Sequence, residues 1–233
     1  MESKIVESIC EAEEIKASGR WAALNQKIEQ LADNPNGYGS WQVKVFADLS
    51  FKNFSEYLAL KKAYEDETEA DLSLLAWRAR NLLEVSVWSA YCASSEGNAW
   101  IFYEDAGKDI LDLHDAYRKW GEAVSIATEW IVSIEKSKNS LADIAEKKGV
   151  VLDGPYQRIS KVAKQCNMEQ HFKLSYKELS KFAHPTSMLI LANYELGKID
   201  GLKQHFYGDG CMFFVGAFNQ LDGALSVLIE NPV

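Results

Sequence analysis

Strand-forming stretches are nearly missing from this sequence. The run GVVL at Gly149–Leu152 is too short to seed a sheet. Prolines number only four, Pro35, Pro155, Pro185 and Pro232, and three of them lie between or at the edges of periodic segments. Long helices are therefore interrupted little, and the chain reads as all-α. The four cysteines (Cys10, Cys92, Cys166, Cys211) show no CxxC pair and no metal-ligand spacing, which favours free thiols over disulfides or zinc. No uninterrupted apolar run reaches about eighteen residues, so no transmembrane span is expected. The glutamate-rich start, MESKIVESICEAEEIK, lacks the basic end and apolar stretch of a signal peptide. A soluble, cytoplasmic protein with no membrane contact is the expectation.

Basic charge is also in short supply. A net charge of −9 and a pI near 5.0 exclude a general nucleic-acid coat protein, because phosphate binding needs cationic surface. Glycine-rich phosphate loops, a Rossmann fingerprint and a nucleophile elbow are all missing, so no cofactor is expected. The sequences DGPYQ (Asp153–Gln157), KIDG (Lys198–Gly201) and YGDG (Tyr207–Gly210) read as turns.

Apolar residues, by contrast, make up 47% of the 233 residues and aromatics 12%, enough for a sizeable core. Amphipathic periodicity predicts helices over about 2–17 and 21–32, then an aromatic-rich helix ending near Tyr64 after the loop DNPNGYGS (Asp33–Ser40). The acidic stretch EDETEAD (Glu65–Asp71) is the best boundary between an N-terminal helical extension, 1–66, and a helical-bundle core, 67–233. Further helices are expected over about 71–93, 98–120, 122–148 (stopped by Gly149), 156–165, and 169 onward, with continuation past Pro185 through Leu189–Leu196. A glycine-bearing helix closes the chain over about 210–229.

The 71–93 helix is apolar around most of its circumference, which predicts a central position. Leu72, Leu75, Ala76, Ala79, Leu82 and Leu83 line one side and Trp77, Trp88 and Tyr91 another. Within it, Arg80 and Glu84 stand one turn apart, and on so apolar a helix both charges need further partners. The 98–120 helix carries a stripe of Phe102, Ala106, Ile110, Leu113, Tyr117 and Trp120, with Asp105, Asp109 and Asp112 expected on a solvated face rather than around a metal. Trp77, Trp88, Trp100, Trp120 and Trp130 read as core, a tryptophan-lined ligand pocket being the weaker alternative.

The segment YKELSKFAHPT (Tyr176–Thr186) holds the most chemistry. At about 100° per residue, Lys173 and Lys177 lie about 20° to either side of His184, Ser180 about 40° away and Lys181 about 60°. Those five share a stripe, Phe172, Leu179, Phe182 and Ala183 lie on the greasy side, and Tyr176 sits on the flank between. From Arg158 to His184, six Lys or Arg oppose two acids, an excess of four that leaves −13 for the remainder. Two readings stay open: a solvated helix face, or a basic island that attracts RNA or a nucleotide. Pro185 pushes His184 out of α geometry, so His184 is expected at a break, either projecting into a cleft as an acid–base group or bonding a freed carbonyl. Tyr176, Ser180 and His184 are the natural partners for Arg80 and Glu84, which predicts that the two helices pack side by side.

RNLLE (Arg80–Glu84), LADIAEKKGV (Leu141–Val150) and YKELSKFAHPT together resemble a bacterial family of unknown function with a Tyr-x-x-Leu-Ser-x-x-x-His-Pro signature. More distantly the arrangement is similar to HEPN-type helical bundles (higher eukaryotes and prokaryotes nucleotide-binding), many of which are metal-independent ribonucleases of toxin–antitoxin and phage-defence systems. That resemblance implies a HEPN-like core, a homodimer, and His184 as the catalytic histidine. Where the partner arginine stands in that family, this chain has Lys177, Glu178 and Leu179. Lys177 has the right charge and face but lacks the planar fork that grips phosphate, so either Lys177 or Arg80 from the other helix is the expected phosphate contact. On this reading His184, Lys177 and Arg80 are catalytic, and Lys173, Ser180, Lys181, Tyr176 and Glu84 contact substrate. A non-catalytic module binding nucleotide, RNA or a partner protein is the alternative.

Overall fold

A computed structural model describes residues 2–33, 40–66, 72–184, 186–187, 190–191 and 201–230. Among them are the α-helices α1 (Glu2–Ala17), α2 (Arg20–Ala32), α3 (Ser40–Glu65), α4 (Leu72–Ser94), α5 (Glu96–Ala123), α6 (Thr128–Lys148), α7 (Ile159–Gln165), α8 (Glu169–Ala183) and α9 (Leu202–Glu230), with no strand. The all-α class follows. Most of the DNPNGYGS loop and of the acidic stretch, Pro185 itself, and most of the expected continuation through 189–196 and of KIDG lie outside the described residues.

The chain divides into two compact units, 1–96 with 159–233, and 97–158. In the first, α4 packs against α3, α7, α8 and α9, as its apolar circumference requires. Leu75, Ala76, Ala79, Leu82, Leu83 and Val87 have no accessible surface. Phe206, Phe214, Phe218 and Leu221 of α9 are also buried, each such side chain contributing about 1.5–3 kcal/mol by leaving water. Aromatic stacking ties α3 to α9 through Tyr57–Phe214 at 4.3 Å and Tyr64–Tyr207 at 4.0 Å. By length and composition α9 could cross a bilayer, but here its buried residues face α1, α2, α3 and α4.

YGDG is not a turn. Tyr207–Gly210 lie inside α9, which begins eight residues before the helix expected from the sequence. The glycines serve close packing: a Cβ on Gly208 would run into Ile5 of α1, and one on Gly210 into Leu60 of α3. Gly210→Ala should therefore destabilise by about 1–2 kcal/mol, overpacking of about 1–3 outweighing a helix-propensity gain of up to about 1. Urea unfolding reads this directly; a stabilised variant would contradict the account.

In the second unit α5 and α6 run antiparallel, bridged by Asp115–Lys138 (2.7 Å), Arg118–Glu135 (3.3 Å) and the edge-to-face pair Trp120–Trp130. The single helix expected over 122–148 is broken, because Ser125 takes a positive φ (55°) and the Ile126 N–H turns back to the Gly121 carbonyl. Gly149 ends α6 in the left-handed conformation, as expected. Next, α7 starts at Ile159 and not at Tyr156, since the Gln157 N–H is held by Asp105.

That contact overturns the solvated reading of Asp105, which is buried with Lys108 at 2.9 Å. Conversely Ile110, Leu113, Tyr117 and Trp120, of the apolar stripe of this helix, are exposed. The tryptophans are corrected too. Trp77 and Trp120 are exposed and Trp88, Trp100 and Trp130 half-buried; Trp77 lies under the Arg78 guanidinium at 4.5 Å instead of in the core.

Candidate functional site

The site is built where α8 crosses α4 in the first unit. On α8, Phe172, Leu179 and Phe182 are buried, and Lys173, Lys177 and Lys181 are exposed along the opposite stripe. The helix ends at Ala183, and His184 is extended (φ −113°, ψ 150°), the geometry a following proline demands. The carbonyl of Lys181, freed by the break, is taken by the Thr186 hydroxyl at 3.0 Å. The imidazole of His184 is thereby left for other work.

It meets Arg80. Arg80 Nη1 lies 2.8 Å from His184 Nε2, and because a guanidinium only donates, Nε2 is the acceptor in this contact. Arg80 Nη2 donates to the Tyr176 hydroxyl at 2.6 Å and pairs with Glu84 Oε1 at 3.1 Å. The Tyr176 ring also lies beneath the guanidinium, 4.6 Å from centroid to Cζ, and is itself backed by Phe172 at 4.9 Å. The Arg80 side chain is 18% exposed and that of Glu84 33%, whereas His184 is exposed. A half-buried arginine thus presents a histidine at the surface.

Of the residues singled out in the sequence, the fold brings together Arg80, Glu84, Tyr176 and His184. Ser180 is near in the helix but does not join the network: among the described residues its buried Oγ has no hydrogen-bond partner, and neither has Arg80 Nε. Lys173 is engaged by Glu169 at 2.7 Å, an exposed i, i+4 pair that contributes little. Lys177 and Lys181 stay on the solvent side of α8, apart from the hydrogen-bonded group. The guanidinium beside the histidine accordingly comes from a second helix and not from a neighbouring position on the same one.

Sequence reasoning missed a second polar group. Glu178 of α8 and His205 and Asp209 of α9 lie together, with His205 Nε2 3.2 Å from Glu178 Oε1 and 3.9 Å from Asp209 Oδ2. The i, i+4 spacing of His205 and Asp209 is a usable signal only on a helix, and reading YGDG as a turn conceals it.

An all-α bundle with a cross-helix arginine–histidine pair at an exposed helix end is the class that fold and geometry define. Within it, the chain belongs to a family of unknown function, DUF5677, whose match extends over residues 75–198 and so takes in both helices of the site. No curated protein and no solved structure matches the chain.

Proposed function

We propose that this protein is a HEPN-like, metal-independent endoribonuclease of a defence or toxin–antitoxin system. The observation that carries the reading is the 2.8 Å contact between Arg80 Nη1 and His184 Nε2, which puts a guanidinium beside an exposed imidazole. Those two groups can together cleave RNA without a metal. Nε2 of His184 takes the proton of a ribose 2′-hydroxyl, and the 2′ oxygen attacks the adjacent phosphorus. The bond to the 5′ oxygen breaks, and that oxygen takes a proton from solvent. Arg80, swung from His184 to the phosphate, balances the charge gathering on the phosphoryl oxygens. Tyr176 and Glu84 hold the guanidinium in its plane, and Lys173, Lys177 and Lys181 form an exposed cationic track for the flanking phosphates. A homodimer would present two such tracks.

The products are a 2′,3′-cyclic phosphate and a 5′-hydroxyl. Purified protein should generate both from single-stranded RNA in EDTA, resolved by end-labelling and phosphatase sensitivity. RNA left intact in EDTA at micromolar protein removes the proposal.

One observation favours a second reading. Every Nη group of Arg80 is already engaged by His184, Tyr176 or Glu84, as in a polar latch that fastens α8 to α4. The protein is then a non-catalytic module binding nucleotide, RNA or a partner protein. RNA retained on the protein in EDTA but not cut is the outcome specific to this reading.

A further inference from the structure

The group formed by Glu178, His205 and Asp209 shares no residue with the Arg80–His184 network, and nothing in the proposed chemistry uses it. Its geometry is that of a ligand set. One ligand atom from each residue falls within 4.8 Å of the others, and His205 Nε2 stands 3.2 Å from Glu178 Oε1 and 3.9 Å from Asp209 Oδ2. Donors bound about 2.1 Å from a tetrahedral ion stand about 3.4 Å apart, between those two values.

Asp209 supplies the independent observation. It is only 8% exposed, and among the described residues its carboxylate receives no hydrogen bond; the nearest cationic group is His205 Nε2 at 3.9 Å, inside the cluster. A buried carboxylate without a donor is expensive. A second acid beside it, aimed at the same imidazole, is the reverse of what a structural ion pair needs. A dication removes both difficulties.

We propose that Glu178, His205 and Asp209 bind one divalent transition-metal ion of the zinc class, with α8 giving one ligand and α9 two. One imidazole nitrogen and two carboxylate oxygens suit Zn²⁺, Mn²⁺ or Fe²⁺ and disfavour soft ions such as Cu⁺. Three protein ligands leave a fourth position for water, the pattern of sites that keep one position open. Entry is available because His205 also borders a surface cavity of about 370 Å³ lined by Ile5, Val6, Gly201 and Gln204.

The test is calorimetric titration of ZnCl₂ into the full chain, first stripped with EDTA and dialysed, with thermal melting alongside. One Zn²⁺ per chain is expected. A melting temperature several degrees higher at about a hundredfold excess over Kd should accompany it. Asp209→Asn and His205→Gln should each weaken binding at least about tenfold. Glu178→Gln, at a side chain 43% exposed, decides the matter should either of those two fail to fold. Absence of stoichiometric uptake overturns the proposal. So does uptake unchanged in the variants, since the ion would then sit elsewhere, for instance at exposed Cys10. Neither result bears on RNA cleavage in EDTA, so this idea and the ribonuclease reading fail separately.

Discussion

Replacing His184 by alanine should lower RNA cleavage by about 10²–10⁴-fold, the usual cost of losing a general acid–base group. It should leave the melting temperature nearly unchanged. The separation of these two effects comes from the geometry. His184 is exposed beyond the last turn of α8 and buries little surface, while its Nε2 is the only imidazole atom that Arg80 meets. Arg80→Lys is the companion variant. A lysine keeps the charge but has no planar fork to serve histidine, tyrosine and phosphate together, so it should not restore cleavage lost in Arg80→Ala. Single-turnover cleavage in EDTA together with differential scanning calorimetry reads both quantities. Should His184→Ala cut RNA at the wild-type rate, or melt far below wild type without any change in activity, the catalytic assignment is wrong and the latch reading takes its place.

The largest stability effect is expected at Arg78, one residue from Trp77 and two from Arg80. Glu56 of α3 is 3% exposed and is held by Arg78 Nη1 at 2.9 Å and by Lys52 Nζ at 2.5 Å. Burial works to raise the Glu56 pKa, yet hydrogen bonds from Lys52 and Arg78 prevail and hold it below its ordinary value of 4.5. Arg78→Met strands a buried carboxylate, for which the usual loss is about 3–5 kcal/mol. Lys52 remains, but its side chain is 55% exposed and well screened, so about 3 kcal/mol is expected, roughly 6–12 °C in Tm for a chain of this size. Adding Glu56→Leu should recover most of it, because an apolar pair in that place is close to neutral. The sign with pH follows from the depressed pKa. The Glu56 contribution is fully present above pH 4.5 and is lost as pH falls through the lower folded-state value. Urea midpoints for the single and double variants check this; a single-variant loss under about 1 kcal/mol would refute it.

Much of the candidate site is legible because its clues are local. Arg80 and Glu84 on an otherwise apolar helix call for partners, and Tyr176 and His184 stand one face over from the greasy side of α8. Proline after His184 dictates the extended backbone whatever surrounds it. Ser180 shares their side of the helix by angle, but angle does not fix whether a hydroxyl finds a partner. The same limit explains the second unit: the stripe of Ile110, Leu113, Tyr117 and Trp120 has helical period, but period says which residues share a face and not whether another element covers it.

By itself, then, the sequence determined the all-α class and most of the helices, the break at His184 and the central place of α4, since periodicity, propensity and proline sterics act within a few residues. Only tertiary structure decided that Asp105 is buried, that YGDG continues a helix, and that Glu178 meets His205 and Asp209. Each of those depends on side chains distant in the chain, and no local pattern encodes which helix face another helix will cover. Glycines show the difference most clearly. In isolation Gly208 and Gly210 weaken a helix, and it is the close approach of Ile5 and Leu60 that makes the missing Cβ an advantage there.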